Sequence, residues 1–129
     1  MSVKENVAAV RDFIERGWNA GDESVFEEHL APDFMGDRNN FKALILGIRA
    51  AFPDLRLEVH DMFGVDDRVV TRFTISGTHE AEFMGIAPTG RKVAFDGIAI
   101  DVMRGDKRVE GWAELDRLGL LTQLGTAPT

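Results

Sequence analysis

The chain has 129 residues, 44% of them hydrophobic, which is enough for one buried core and a single domain spanning 1–129. Fifteen Lys and Arg against twenty-two Asp and Glu give a net charge of −7, with the basic residues scattered singly, so nucleic acid and anionic membrane are not expected as partners. Cysteine is absent, which excludes disulfides, thiolate metal sites and a cysteine nucleophile together. Neither a leader-like apolar core near Ser2-Val3-Lys4-Glu5 nor a run of about eighteen apolar residues occurs, and a soluble cytoplasmic protein is expected.

Helices come first along the chain. Ser2 with Glu5 three residues on is a capping box, and Val7, Val10, Phe13, Ile14 and Trp18 recur at helical spacing until Gly17, Asn19 and Gly21 loosen the pattern. Asp22 can cap a short second helix carrying Val25, Phe26, His29 and Leu30, closed by Ala31-Pro32. Asn39 or Asn40 can cap a third, in which Phe41, Leu44, Ile45, Ile48 and Phe52 form one apolar stripe before Pro53.

From Leu55 the period changes to two. The expected strands are Leu55 to Met62, Val69 to Ser76, Lys92 to Met103 and Lys107 to Leu115. Gly64-Val65-Asp66-Asp67 and Arg104-Gly105-Asp106 are short enough for hairpin turns, so successive strands pair antiparallel. Three helices covering one face of a curved antiparallel sheet make an α+β fold, with a flexible tail expected at 126–129.

Strand parity then selects pocket residues. Val93, Phe95, Gly97, Ala99, Asp101 and Met103 share one face, while Ile98, Ile100 and Val102 make the other apolar too, which calls for helices on one side and a second subunit on the other. On the last strand Val109, Gly111, Ala113 and Leu115 alternate with Arg108, Glu110, Trp112 and Glu114, and the small residues leave room for a ligand. Trp18, Phe34, Phe95, Ala99 and Ala113 are the expected ligand-lining residues.

Three polar residues stand out as catalytic candidates. Asp101, alone among small and apolar neighbours, could act as a base toward carbon next to a carbonyl, or could sit solvated or paired with Arg104 or Lys107. His79 could be an acid or donor to a substrate oxygen, or a histidine bonded to a turn carbonyl. Arg72, sharing a face with Val70, Thr74 and Ser76, could hold an enolate or carboxylate oxygen, or pair with Glu58 across strands. His60 and His29 are weaker candidates, His29 reading as a core histidine.

No metal is expected, because the three histidines lie on different elements without His-x-x-x-His or His-x-Asp spacing. Gly85-Ile86-Ala87-Pro88-Thr89-Gly90 reads as a turn rather than a phosphate cradle, and no Gly-x-Ser-x-Gly elbow is present.

Trp18-Asn19, Gly21, Ala31-Pro32-Asp33-Phe34, Ala51-Phe52-Pro53-Asp54, Gly77-Thr78-His79, Pro88-Thr89-Gly90-Arg91 and the run from Trp112 to Gln123-Leu124-Gly125 follow one another in a telling order. In this the chain resembles the small cofactor-independent polyketide cyclases of the SnoaL-like (ester cyclase) family, built on the cone-shaped fold of nuclear transport factor 2. The resemblance implies intramolecular aldol condensation of a polyketide ester without cofactor. It also implies an aspartate on the last strand that removes a carbon-bound proton, and a histidine and an asparagine that hold the enolate. Counting back without gaps from Gln123-Leu124-Gly125, the aspartate position falls on Ala113 and the histidine position on Ala99, while the asparagine falls near Gly36. The segment from Phe34 to Phe41 is also shorter than in those cyclases, which reshapes the cavity mouth.

Three readings follow. The first is a cyclase or related proton-transfer enzyme in which Asp101 serves as base with His79 or Arg72 polarising the carbonyl. The second is a relative that hydroxylates a substrate or opens an epoxide in the same cavity. The third is a non-catalytic homodimeric module that binds a small apolar molecule.

Overall fold

The structure, a computed structural model, describes residues 2–126, so that the expected tail lies outside the described residues except for Thr126. Its elements are α1 (Val3–Phe13), α2 (Val25–His29), α3 (Arg38–Ala51), β1 (Arg56–Val65), β2 (Arg68–Thr78), β3 (Lys92–Arg104), β4 (Lys107–Leu115) and α4 (Arg117–Gln123). The strands form one antiparallel sheet in the order β1-β2-β3-β4. This is the α+β layout expected, with one addition: α4, started by the Asp116 carboxylate accepting from the Gly119 amide, closes over β3. The Leu118-Gly119-Leu120-Leu121 run is too short and too evenly apolar to show a helical period by itself.

The capping box at Ser2 and Glu5 starts α1, whose buried stripe is Asn6, Val10 and Phe13. Past Phe13 the helix widens into a π-turn over Ile14–Asn19, which accounts for the loosened spacing there. The third helix is capped two or three residues earlier than expected, by Asp37 accepting from the Asn39 amide.

Helices and sheet enclose two adjoining clusters. One joins Val10, Phe52, Leu57, Val69, Phe73, Ile75, Val93, Phe95, Leu120 and Leu124. The other joins Phe13, Val25, Phe26, Leu30, Phe34 and Ile45. Trp18, half-buried, packs against both.

Two side-chain amides close backbone edges that the sheet leaves open. Asn19 donates to the Leu57 carbonyl (3.0 Å) and accepts from the Leu57 amide (2.7 Å), taking the place of a neighbouring strand beside β1. Gln123 does the same for Ala94, accepting its amide (2.7 Å) and donating to its carbonyl (2.7 Å), along the stretch of β3 that β4 does not reach. A third joint is Asp54, whose carboxylate accepts both the amide (2.6 Å) and the hydroxyl (2.8 Å) of Thr78 and is held below the usual aspartate range by those two bonds, the backbone one first.

Two outcomes are expected in denaturant titrations. Asn19→Ala leaves the half-buried Leu57 groups unpaired and lowers the unfolding free energy by about 1–3 kcal/mol. Because the folded-state pKa of Asp54 is lowered, its contribution is present above about pH 4 and is lost as pH falls further, so Asp54→Asn flattens the acid limb of the stability curve below about pH 4.

Candidate functional site on the inner sheet face

Register fixes the rows of side chains that face the helices. Phe73, Gly97 and Leu115 form one row across β2, β3 and β4, Thr71, Ala99 and Ala113 the next, and Val69, Asp101 and Gly111 the third. The two positions matched to the family's histidine and aspartate, Ala99 and Ala113, are therefore direct cross-strand partners. Ala113 is exposed and Ala99 partly so, and neither has a side chain beyond Cβ. Gly36 sits in an exposed turn with nothing within 4 Å of where a Cβ would point.

Asp101 lies one row from these alanines and is only 4% exposed. Its carboxylate leans across β4 into the space that Gly111 leaves free, since a Cβ there would come within 2.7 Å of Oδ1. It is neither solvated nor paired with Arg104 or Lys107. Its partner is Arg108, 7% exposed, whose Nη2 donates to Oδ1.

Simple alternation along β4 puts Arg108 on the outer face beside Glu110 and Trp112. The structure corrects this through a β-bulge: Val102 pairs with Glu110 but Met103 with Arg108, so Val109 is the extra residue and Arg108 turns inward. There its guanidinium lies over the rings of Phe13 (4.9 Å), Phe34 (5.5 Å) and Phe41 (5.6 Å), which pack on one another. The Arg108 carbonyl takes the Ala31 amide (2.9 Å), which ties the bulge to the end of α2. Arg108 Nε and Thr71 Oγ1 are buried without a hydrogen-bond partner among the described residues.

The three catalytic candidates do not meet. Val69, beside Asp101, and Thr78, before His79, are nine residues apart on β2, or about 30 Å. His79 is fully buried against Phe52 (ring centroids 5.5 Å apart) and its Nδ1 accepts the Thr89 amide (3.2 Å), so the neutral ring carries its proton on Nε2. Arg72 is on the outer face, paired not with Glu58 but with Asp61 at 2.6 Å, because a bulge at His60 shifts the β1 register. Of the expected lining residues, Phe34 belongs to the aromatic cage around Arg108, Ala99 and Ala113 pair in the row next to Asp101, and Trp18 and Phe95 are in the core cluster. An outer-face depression of about 390 Å³ holds Arg72, Asp96, Ile98, Glu114 and Asp116, and a groove of about 410 Å³ runs between α1 and the β1 edge.

One grouping had no signal in spacing. His29 Nε2 lies 2.7 Å from Asp12 Oδ2 and 3.9 Å from Glu28 Oε1. Among the described residues these three bring possible metal-ligand atoms within 4.8 Å of one another. Arg16, bonded to Asp12 (2.7 Å), Glu28 (2.8 Å) and Asp22 (3.1 Å), already balances the cluster as an internal cation. The bond from His29, then that from Arg16, keeps the Asp12 carboxyl below its usual range.

A four-stranded curved antiparallel sheet covered by helices is the layout of the nuclear transport factor 2-like class. A family profile described as SnoaL-like polyketide cyclase matches residues 8–124, and the chain belongs to that family. Among solved structures it is similar to AclR from Streptomyces galilaeus, for which a hydroxylase activity is proposed, at 33% identity and a TM-score of 0.88, covering 98% of this chain and 100% of that one. It is similar to IdmH from Streptomyces antibioticus, a proposed polyketide cyclase, at 30% identity and TM-score 0.82 (93% and 98% covered). TsrD from Streptomyces laurentii aligns at 25% identity and TM-score 0.90 (98% of both chains). No curated protein matches the chain.

Burial of the ion pair sets a stability test. Arg108→Met leaves Asp101 buried without its counter-ion and costs about 3–5 kcal/mol, whereas Arg108→Met combined with Asp101→Leu recovers most of that loss in the same urea titration.

Proposed function

We propose that the protein is a cofactor-independent enzyme that removes a proton from carbon next to a carbonyl in a small apolar or aromatic substrate, with Asp101 as the base. The observation that carries this reading is the placement of Asp101. It is a buried carboxylate on the concave face, one row from Ala113 and diagonal to it across β3 and β4. Substrate would rest over Ala99 and Ala113, where the usual histidine and aspartate are missing. His79 and Arg72, about 30 Å away and on the opposite face, take no part in this step. Metal and cofactor are not needed for it, and with a net charge of −7 the reading keeps the protein among small-molecule partners in the cytoplasm rather than nucleic acid. Among the described residues no helix is long and apolar enough to cross a membrane.

A carbanion formed this way has two fates in the family's terms. Attack on an internal carbonyl closes a ring, as in a cyclase. Addition of molecular oxygen gives a hydroperoxide, which is the start of a hydroxylation, and the likeness to AclR favours that second outcome. Epoxide opening fits less well, because it calls for water between two carboxylates and an arginine, and the inner rows of β2, β3 and β4 set only one carboxylate, Asp101, beside Arg108.

The reading includes a homodimer through the outer face. Phe63, Val70, Ile100 and Trp112 form one apolar row across all four strands, flanked by Ile98 and Val102. Phe63, Ile98 and Trp112 are about half exposed. Arg68 stands over Trp112, and Arg72, Glu110 and Glu114 border the row, so both signs of charge are available to a second copy.

Two measurements test the reading. Proton exchange of an aromatic β-diketone in deuterated buffer, followed by NMR, is accelerated by the wild type, and Asp101→Asn slows it by about 100-fold or more. Equal rates for both proteins would remove Asp101 as base, and binding of the diketone with no exchange in the wild type would mark a binding module instead. In light scattering, Trp112→Asp turns a dimer of the wild type into a monomer; a monomeric wild type ends the dimer proposal.

A further inference from the structure

We propose that Arg108 is a second catalytic residue, whose Nε–H holds the substrate's developing enolate oxygen while Asp101 takes the carbon-bound proton. The inference rests on Asp101 being the base.

The geometry supplies both halves of the step. Arg108 binds Asp101 Oδ1 through Nη2, and its Nε–H is a buried, unpartnered donor on a planar cation. The faces of Phe13, Phe34 and Phe41 hold the guanidinium and keep water from it. Thr71, whose hydroxyl is likewise buried and unpartnered, occupies the adjacent row with Ala99 and Ala113. A substrate placed over the alanines would lie one row from Asp101, in the row of the unpartnered Thr71 hydroxyl, with the Arg108 Nε–H beside the carboxylate it pairs with.

Charge explains why the pair suits proton abstraction. Before reaction, Asp101 is the anion and Arg108 its counter-ion, with a neutral substrate. In the step the substrate C–H bond breaks, an O–H bond forms on Asp101, and the freed electron pair moves through the new C=C bond onto the carbonyl oxygen. Asp101 is then neutral, the enolate is the anion, and the same guanidinium is the counter-ion. Arg108 keeps all its protons. The buried site carries no net charge at either stage, so negative charge moves by a few ångströms beside a cation that does not have to be recruited.

Asp101→Asn imitates the protonated carboxyl and leaves Arg108 without its internal counter-ion, which makes a direct test possible. The probe is 4-nitrophenol, whose conjugated anion resembles an enolate and whose visible absorbance reports ionisation. Asp101→Asn is expected to bind 4-nitrophenolate about tenfold or more tightly than the wild type, and Asp101→Asn combined with Arg108→Met loses that gain. The double variant buries no unpaired charge and so does not depend on the folding of Arg108→Met alone. Failure of Asp101→Asn to bind the anion more tightly than the wild type overturns the proposal, as does an equal gain in the double variant.

Exchange kinetics separate this inference from the one beneath it. Arg108→Lys keeps the charge but lacks the Nε–H, and is expected to lower kcat for β-diketone exchange by about 100-fold with KM within a few-fold. An unchanged kcat in Arg108→Lys, with exchange abolished by Asp101→Asn, rejects the role of Arg108 and leaves Asp101 as base. Exchange that survives Asp101→Asn rejects the base itself.

Discussion

A carboxylate and a guanidinium, both almost fully buried, face each other on the concave side of the sheet, and the surrounding architecture is arranged to make that tolerable. Gly111 gives the carboxylate its place, the Val109 bulge turns the arginine toward it, and three phenylalanines from α1, the turn before α3, and α3 itself close over the cation. Taking two charges out of water costs several kcal/mol per ion before their attraction repays it. An apolar pair of similar volume would serve folding as well. Stability alone therefore does not account for the pair, and under the proposed function each of its supports fixes where a substrate would lie.

The residues that make the family legible in the sequence are mostly joints of the scaffold. Asn19 and Gln123 each bond both backbone groups of one strand residue at an open edge. Asp54 ties the end of α3 to Thr78, Phe52 stacks on His79, and Thr89 and Arg91 in turn hold His79 and the Gln123 carbonyl. Such positions admit few substitutes because a backbone group has to be satisfied at a set distance, which is a demand of the fold and not of any one chemistry. That is why fold and family could be read from the chain while its chemistry could not. His79 sits in one of these motifs, stacked on Phe52 and accepting the Thr89 amide.

What alternation failed to deliver has a single cause in two places. A period of two assumes an unbroken register, and one extra residue reverses the face of everything beyond it. The bulge at Val109 brought Arg108 inside, and the bulge at His60 gave Arg72 to Asp61 instead of Glu58. Nothing local in Arg108-Val109-Glu110 announces the first of these. The tie between the Arg108 carbonyl and the Ala31 amide, nearly eighty residues earlier, holds it in place, and contacts at that separation leave no periodic trace. The network of Asp12, Arg16, Glu28 and His29 is legible only in three dimensions for the same reason.

Position also matters for chemistry. Ala113 and Asp101 are diagonal neighbours on adjacent strands, a displacement of about 7–8 Å between Cβ positions, shortened by a carboxylate that leans over Gly111. With the base at Asp101, the reacting carbon has to shift along the sheet toward Arg108 and the aromatic cage, away from the position set by a base on the last strand. The volume freed by alanine at 99 and 113 then becomes room for the substrate's body. Under the proposed function, alanine at the position matched to the family's aspartate and a paired carboxylate one row away are two sides of one rearrangement, in which the scaffold stays and the substrate meets a different corner of the inner face.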